Sequence, residues 1–226
     1  LNTANFFTGG TVVRAGTLVL GTASALGTSG PLSFAGSATL QYASGVSTDL
    51  SGRLSPIPQG VSATFEITSG SVGFNAALAG AGNVLKTGAG TLALAKSGTL
   101  SGGITLMAGR LVLADNAAQG SGTLTLNGGS LDSTVLSGGW TLNNAQIWNA
   151  DLNFIGSQPV QTGSGGVLLT GTRTANIFAN SFQIGGAISE ALPGTGLLKS
   201  GVGILVLAGS NTFSGSLAVS AGILSL

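Results

Sequence analysis

Large apolar residues alternate with small or polar ones in short runs along this chain. Thr91-Leu92-Ala93-Leu94, Arg110-Leu111-Val112-Leu113 and Thr123-Leu124-Thr125-Leu126 show it most clearly. A period of two places both Leu side chains of a run on the same face of a strand. The runs are short and close on Gly pairs, Gly-Ala or Asn-Gly, residues that accept the positive φ of tight corners. No 3.6-residue apolar stripe is sustained anywhere. With 40 Gly and many β-branched Thr and Val, helix is a poor alternative.

The runs recur at a fixed interval. Leu92 and Leu111 are 19 positions apart, Leu111 and Leu131 are 20 apart, and so are Ile104 and Leu124. Short strands repeating at this interval describe a parallel β-helix (β-solenoid). Successive turns stack about 4.8 Å apart, so about 10–11 turns form a rod of about 50 Å. Leu92, Leu111 and Leu131 are expected in one inward column.

A longer repetition is superimposed. Leu85–Leu113 falls on Leu198–Leu226 without a gap, at a shift of 113, with 15 of 29 positions identical. At a shift of 93, Gly9-Gly10, Ala15-Gly16 and Leu18-Val19-Leu20 fall on Gly102-Gly103, Ala108-Gly109 and Leu111-Val112-Leu113. The two shifts differ by one turn, an insertion that a solenoid absorbs because each turn touches only its neighbours. The chain therefore reads as one continuous solenoid over 1–226. Its repeat-like cores lie at 8–20, 82–113 and 195–226, and its irregular excursions at 46–60, 145–160 and 187–196.

These cores carry a signature. Leu85-Lys86-Thr87-Gly88-Ala89-Gly90-Thr91-Leu92-Ala93-Leu94, the Gly102-Gly103 corner and Ala108-Gly109-Arg110-Leu111 together resemble the autotransporter-associated β-strand repeat, or passenger-associated transport repeat. The second copy keeps the pattern, with Ile204 for the usual Thr and Ser216 for the second Gly. The first lacks the Lys-x-Gly-x-Gly half, so a segment of a longer solenoid is expected. The resemblance implies a right-handed β-helical passenger of a type V secreted bacterial surface protein. It implies export to the cell surface or medium, roles in secretion, adhesion or aggregation, and no catalytic residues.

Composition narrows the chemistry. Only 6% of residues are charged, against about 25% in ordinary soluble domains. There is no His and no Cys, which excludes Ser-His-Asp and Cys-His catalysis, thiolate or imidazole metal sites and disulfides. For a chain that crosses an envelope unfolded, as the resemblance implies, the lack of Cys is suitable. Seven Lys and Arg against six Asp and Glu leave +1, which is no footprint for nucleic acid. Mean hydropathy is high, at +0.52. Yet no window approaches the about 20 apolar residues of a spanning helix, and scattered aromatics are thin material for the two girdles of a membrane barrel. Direct membrane insertion by this segment is not expected.

Register separates the candidate sites. Asp115, Asp132 and Asp151 are spaced by nearly one turn, and paired carboxylates are what a glycosidase needs. This makes a carbohydrate-active lyase or hydrolase the alternative function. However, the three sit at different offsets from the core column and should diverge. Gly128-Gly129-Ser130-Leu131-Asp132 lacks the third Gly of the calcium nonapeptide, and Gly88-Ala89-Gly90 is no phosphate cradle. No catalytic, cofactor or metal residue is therefore assigned.

Lys86 and Lys199 recur before equivalent corners and are expected to point outward, discouraging edge pairing. Trp140 and Trp148 stand among amides; each either stacks on a sugar or fills a wide turn of the core. Ser51–Gly60, with Arg53, Pro56 and Pro58, reads as a loop leaving the rod and as the first place for a contact. Leu192-Pro193-Gly194 is a second, shorter candidate. Val19, Val112 and Val206, with Ala93, Thr125 and Ser225, are expected to form one outward, uncharged strip, and self-association is expected through this strip or the open solenoid ends. The expected partners are a second copy or a cell-surface or carbohydrate ligand, with no nucleic acid.

Overall fold

The computed structural model describes residues 1–135 and 140–226, excluding the side chains of residues 140 and 141. Every strand ladder among the described residues is parallel. The strands are two to six residues long and stack into a three-walled solenoid of about ten turns. Wall one has nine strands, running from Thr17–Leu20 to Ile188–Glu190. Wall two has eight, from Ser71–Phe74 to Leu217–Val219. Wall three is built in segments, beginning with Thr11–Val13 on Leu32–Phe34. It continues through Ala79–Gly80 on Thr99–Leu100 and ends in five strands from Trp140–Leu142 to Ile223–Ser225. One short 3-10 turn, Ser51–Arg53, is the only helical element among the described residues.

The period-two pattern settles the interior. Leu111 pairs with Leu92 below and Leu131 above, so the expected column exists. Each of the three is at most 1% exposed. In the wider turns, aromatics fill the extra space. Phe34, Phe65 and Phe74 reach inward from walls three, one and two and meet edge to face, with ring centroids 5.7 and 5.0 Å apart. Phe154 and Phe182 repeat the arrangement from walls two and three at 5.1 Å.

Turn length varies more than the 19–20 residues of the sequence period. Ladder partners are 19 apart at Leu92↔Leu111, 20 at Ile104↔Leu124, 22 at Thr17↔Thr39 and 25 at Ala38↔Ala63. The extra residues lie in corners and leave the ladders intact. Residues 145–160, expected to be irregular, contain two regular strands, Gln146–Trp148 and Leu152–Phe154. Their Gln, Asn and Trp content hid the alternation. Ser51–Gly60 does not leave the rod: Leu54 bridges to Leu32, Ile57 bridges to Gly80, and Ile57 is 1% exposed.

Because Leu111 packs between Leu92 and Leu131, Leu111→Ala should open a cavity in mid-column and cost about 2–5 kcal/mol. A urea titration followed by circular dichroism should show a lowered midpoint. An unchanged midpoint would mean that the column does not carry the core.

Candidate functional site

The two lysines of the long repeat are the most informative side chains in the molecule. Strand Asn83–Thr87 alternates half-buried and buried positions, and Val84 and Lys86 are its inward residues. Lys86 is 0% exposed and lies in the wall-one column between Phe65 and Leu106. Its Nζ donates to the carbonyls of Thr87 at 2.6 Å, Gly88 at 2.9 Å and Ala108 at 3.1 Å. The first two acceptors belong to its own corner, and the third to the corner of the next turn. Lys199 does the same on wall two, donating to Ser200 at 2.6 Å, Gly201 at 2.6 Å and Ala221 at 3.1 Å. The expectation of outward lysines is corrected: each ammonium is an internal tie between two stacked corners. Three donors and no acceptor suit a spot where three carbonyls converge.

This tie accounts for a distant glycine. A Cβ on Gly109 would lie 2.3 Å from the Gly88 and Gly90 oxygens and 2.8 Å from Lys86 Nζ. On Gly222 it would lie 2.3 Å from Gly201 O and 2.8 Å from Lys199 Nζ. Lys-x-Gly-x-Gly and the later Ala-Gly are thus two halves of one contact.

Three stretches of the chain match the passenger-associated transport repeat. They are residues 1–20, 84–113 and 197–226, about a third of the chain. No curated protein and no solved structure matches the chain. Both complete repeats carry the lysine tie. The third wall climbs four steps from Thr11, through Leu32, Leu54 with Ile57, Gly80 and Thr99-Leu100; Ile104, the counterpart of Thr11, then stands one wall further on. From Ile104 wall one climbs through Leu124, Gln146, Val167, Ile188 and Thr212, and Leu217, the next counterpart, stands on wall two. Successive repeats are therefore displaced by whole turns plus one wall.

That rotation disperses the expected strip. Val19 lies on wall one, Val112 and Ala93 on wall two, and Val206 and Ser225 on wall three. Val112 is only 7% exposed. The continuous outward column is on wall one, where Thr17, Thr39, Thr64, Leu85, Thr105 and Thr125 follow one another in register.

The other expected site residues are also structural. Arg53 donates to the carbonyls of Gly30 at 2.7 Å, Gly27 at 3.1 Å, Leu26 at 2.9 Å and Ser29 at 2.6 Å, clamping the corner of the preceding turn. Pro56 and Pro58 are exposed beside it. Trp148 is 0% exposed, with Nε1 donating to Gln146 Oε1 at 3.1 Å, so it fills the core. The side chain of Trp140 lies outside the described residues. The loop at Leu192-Pro193-Gly194 is held by Glu190, which accepts from Thr195 N at 2.9 Å and Ser214 Oγ at 2.6 Å.

Asp115, Asp132 and Asp151 diverge, and each reaches to a different adjacent turn: Asp115 to Ser97, Asp132 to Arg110 and Ser157, Asp151 to Thr174 N. The remaining acids do likewise, Asp49 accepting from Asn75 and Glu66 from Gln41. Among the described residues no three His, Cys, Asp or Glu side chains group to hold a metal.

Two outcomes follow from the tie. Gly16 has the same φ as Gly109, near +70°, but nothing lies within 4 Å of its Cβ position. Gly16→Ala should therefore cost only the left-handed strain of about 1–2 kcal/mol, while Gly109→Ala should cost distinctly more. Lys86→Met should destabilise by about 1–3 kcal/mol for each carbonyl left unpaired. Urea midpoints check all three, and equal losses for the two glycines would refute the tie.

The second outcome is pH dependence. Burial pushes the Lys86 ammonium down to about 8, against the pull of Glu66, and burial lowers Lys199 too. The unfolded chain, with ordinary lysines near about 10.4, binds more protons above pH 8, so stability should rise with pH there. The rise should show in melting temperature between about pH 8 and 9.5 and should shrink in Lys86→Met, Lys199→Met. Nearer pH 10 Tyr42 opposes it, because burial raises the phenol and the unfolded chain ionises first.

Proposed function

We propose that this segment is a non-enzymatic structural stalk of a bacterial autotransporter-like passenger, exported to the cell surface or medium. In this role it supports secretion and holds adhesive regions away from the cell. The observation that carries this reading is the match of three stretches to a passenger-associated transport repeat. The rod geometry supports it, because each repeat extends one continuous three-walled stack.

The carboxylates support the non-enzymatic part. All six take hydrogen bonds from an adjacent turn. Hydrogen bonds from Ser97 and Ser214 hold Asp115 and Glu190 below the usual carboxyl range. A glycosidase acid needs the opposite displacement. No helix among the described residues is long and apolar enough to cross a membrane.

The test places the segment between an amino-terminal epitope and a translocator barrel in a Gram-negative host. Antibody should label the epitope on intact cells, and Lys86→Met with Lys199→Met should lower the labelled fraction. An epitope retained inside the cell would refute the stalk. Release of reducing ends from polysaccharides by the purified segment would refute the non-enzymatic assignment.

A further inference from the structure

An endoprotease that cleaves after Lys or Arg must take the basic side chain into its specificity pocket. The chain has seven Lys and Arg, and their placement decides which peptide bonds such an enzyme can reach. Lys86, Lys199 and Arg53 are held by corner carbonyls. Arg173 donates to the Trp148 carbonyl and to Thr170 Oγ1, each at 3.1 Å. Arg110 pairs with Asp132, which is 0% exposed, and its main chain lies in a ladder between Thr91 and Ser130. Only Arg14 and Lys96 are exposed.

These two differ in position. A cut after Arg14 removes only residues 1–14, ahead of strand Thr17–Leu20. The Lys96–Ser97 bond lies within the rod, in the corner between Thr91–Leu94 on wall two and Thr99–Leu100 on wall three. Both of its residues are exposed, and among the described residues neither joins a backbone–backbone hydrogen bond. The nearest such bonds flank it, from Ala95 N to the Phe74 carbonyl at 3.0 Å and from Gly98 N to that of Ala117 at 2.8 Å. Ser97 is held instead by its hydroxyl, which donates to Asp115. A corner with so few backbone bonds opens locally at little cost, and exposed tips of this kind are where nicking concentrates.

We propose that Lys96–Ser97 is a processing site for an endoprotease that cleaves after Lys or Arg, and that the nicked rod stays assembled. Water adds across the peptide bond: the C–N bond breaks, leaving a carboxylate on Lys96 and an ammonium on Ser97. The break interrupts no ladder. Leu85↔Thr105 on wall one, Leu92↔Leu111 on wall two and Ala79↔Thr99 on wall three each join residues 1–96 to residues 97–226. The third bond of Lys86, to the Ala108 carbonyl, ties the same two pieces. Burial thus protects the basic residues that fasten the corners, and the exposed lysine stands where a cut leaves the stack intact. The site goes beyond the stalk reading and does not rest on it.

Brief digestion of the whole segment with trypsin under native conditions, followed by intact-mass spectrometry, tests the proposal. Residues 97–226 should be the first large product, with cleavage after Arg14 as the only other early event. The digest should elute from gel filtration at the volume of the uncut segment and separate into pieces only in urea. Lys96→Gln, at an exposed position, should abolish the 97–226 product and leave the melting temperature unchanged. Three results would overturn it: earlier cleavage after Arg53, Lys86, Arg110, Arg173 or Lys199; survival of the Lys96–Ser97 bond, whether or not Arg14 is cut; or separate elution of the two pieces without urea.

Discussion

The structure depends on what happens to backbone carbonyls at the corners. Along the walls the ladders pair main-chain groups between turns. At a corner the chain changes direction; some carbonyls there still meet an amide of the next turn, as Gly90 meets Arg110 N, but others converge without one. A buried carbonyl left in that state costs about as much as a lost hydrogen bond. This chain answers with cations. Lys86 and Lys199 each take three corner oxygens and Arg53 takes four, while Arg173 Nε adds a bond at 3.1 Å to a Trp148 carbonyl that Thr170 N also reaches. Four of the seven Lys and Arg therefore face the protein's own backbone. The sparse charge is mostly internal fastening.

The same economy governs the acids, and it sets the range of the stabilising interactions. Each carboxylate takes at least one hydrogen bond across a turn, as does each lysine's third bond. Stability built from such links is close to a sum over neighbouring turns. A corner can lengthen, as the 25-residue interval at Ala38↔Ala63 shows, without disturbing distant turns. Shifts of 93 and 113 residues between repeats follow from this freedom, and the added third of a turn carries each repeat to a new wall. Any property tied to the repeat motif is then presented in different directions around the rod.

Much of this architecture was legible in the residues. The Leu92, Leu111 and Leu131 column follows from period two and the 19–20 spacing, and the corner glycines follow from their place between strands. The lysines were not, for a local reason. Val84-Leu85 and Leu197-Leu198 put apolar residues on both faces of their strands, so alternation alone leaves the inward face open. Leu85 and Leu198 serve as landmarks in the alignment yet are half-buried, while the lysines beside them point inward. Val19, Val112 and Val206 form no strip because counterparts in sequence stand on three different walls.

The ambiguity that hid the lysines also gives them a further role. A one-residue slip exchanges the inward and outward faces of a strand. In Asn83–Thr87 that exchange would bury Leu85 in place of Val84 and Lys86, a change hydrophobicity alone scarcely resists. With the lysine present, the slipped strand loses its ammonium from the corner and leaves three carbonyls unpaired. Gly109 reinforces the choice, because its missing Cβ is needed only when the corners stack in the native register. Buried polar groups are best attested as devices that fix register, and here the device is placed where the apolar pattern is weakest. The lysine's burial penalty and its fixed position in the repeat then have one explanation: in strands this short, what must be secured is less the attraction between turns than their alignment.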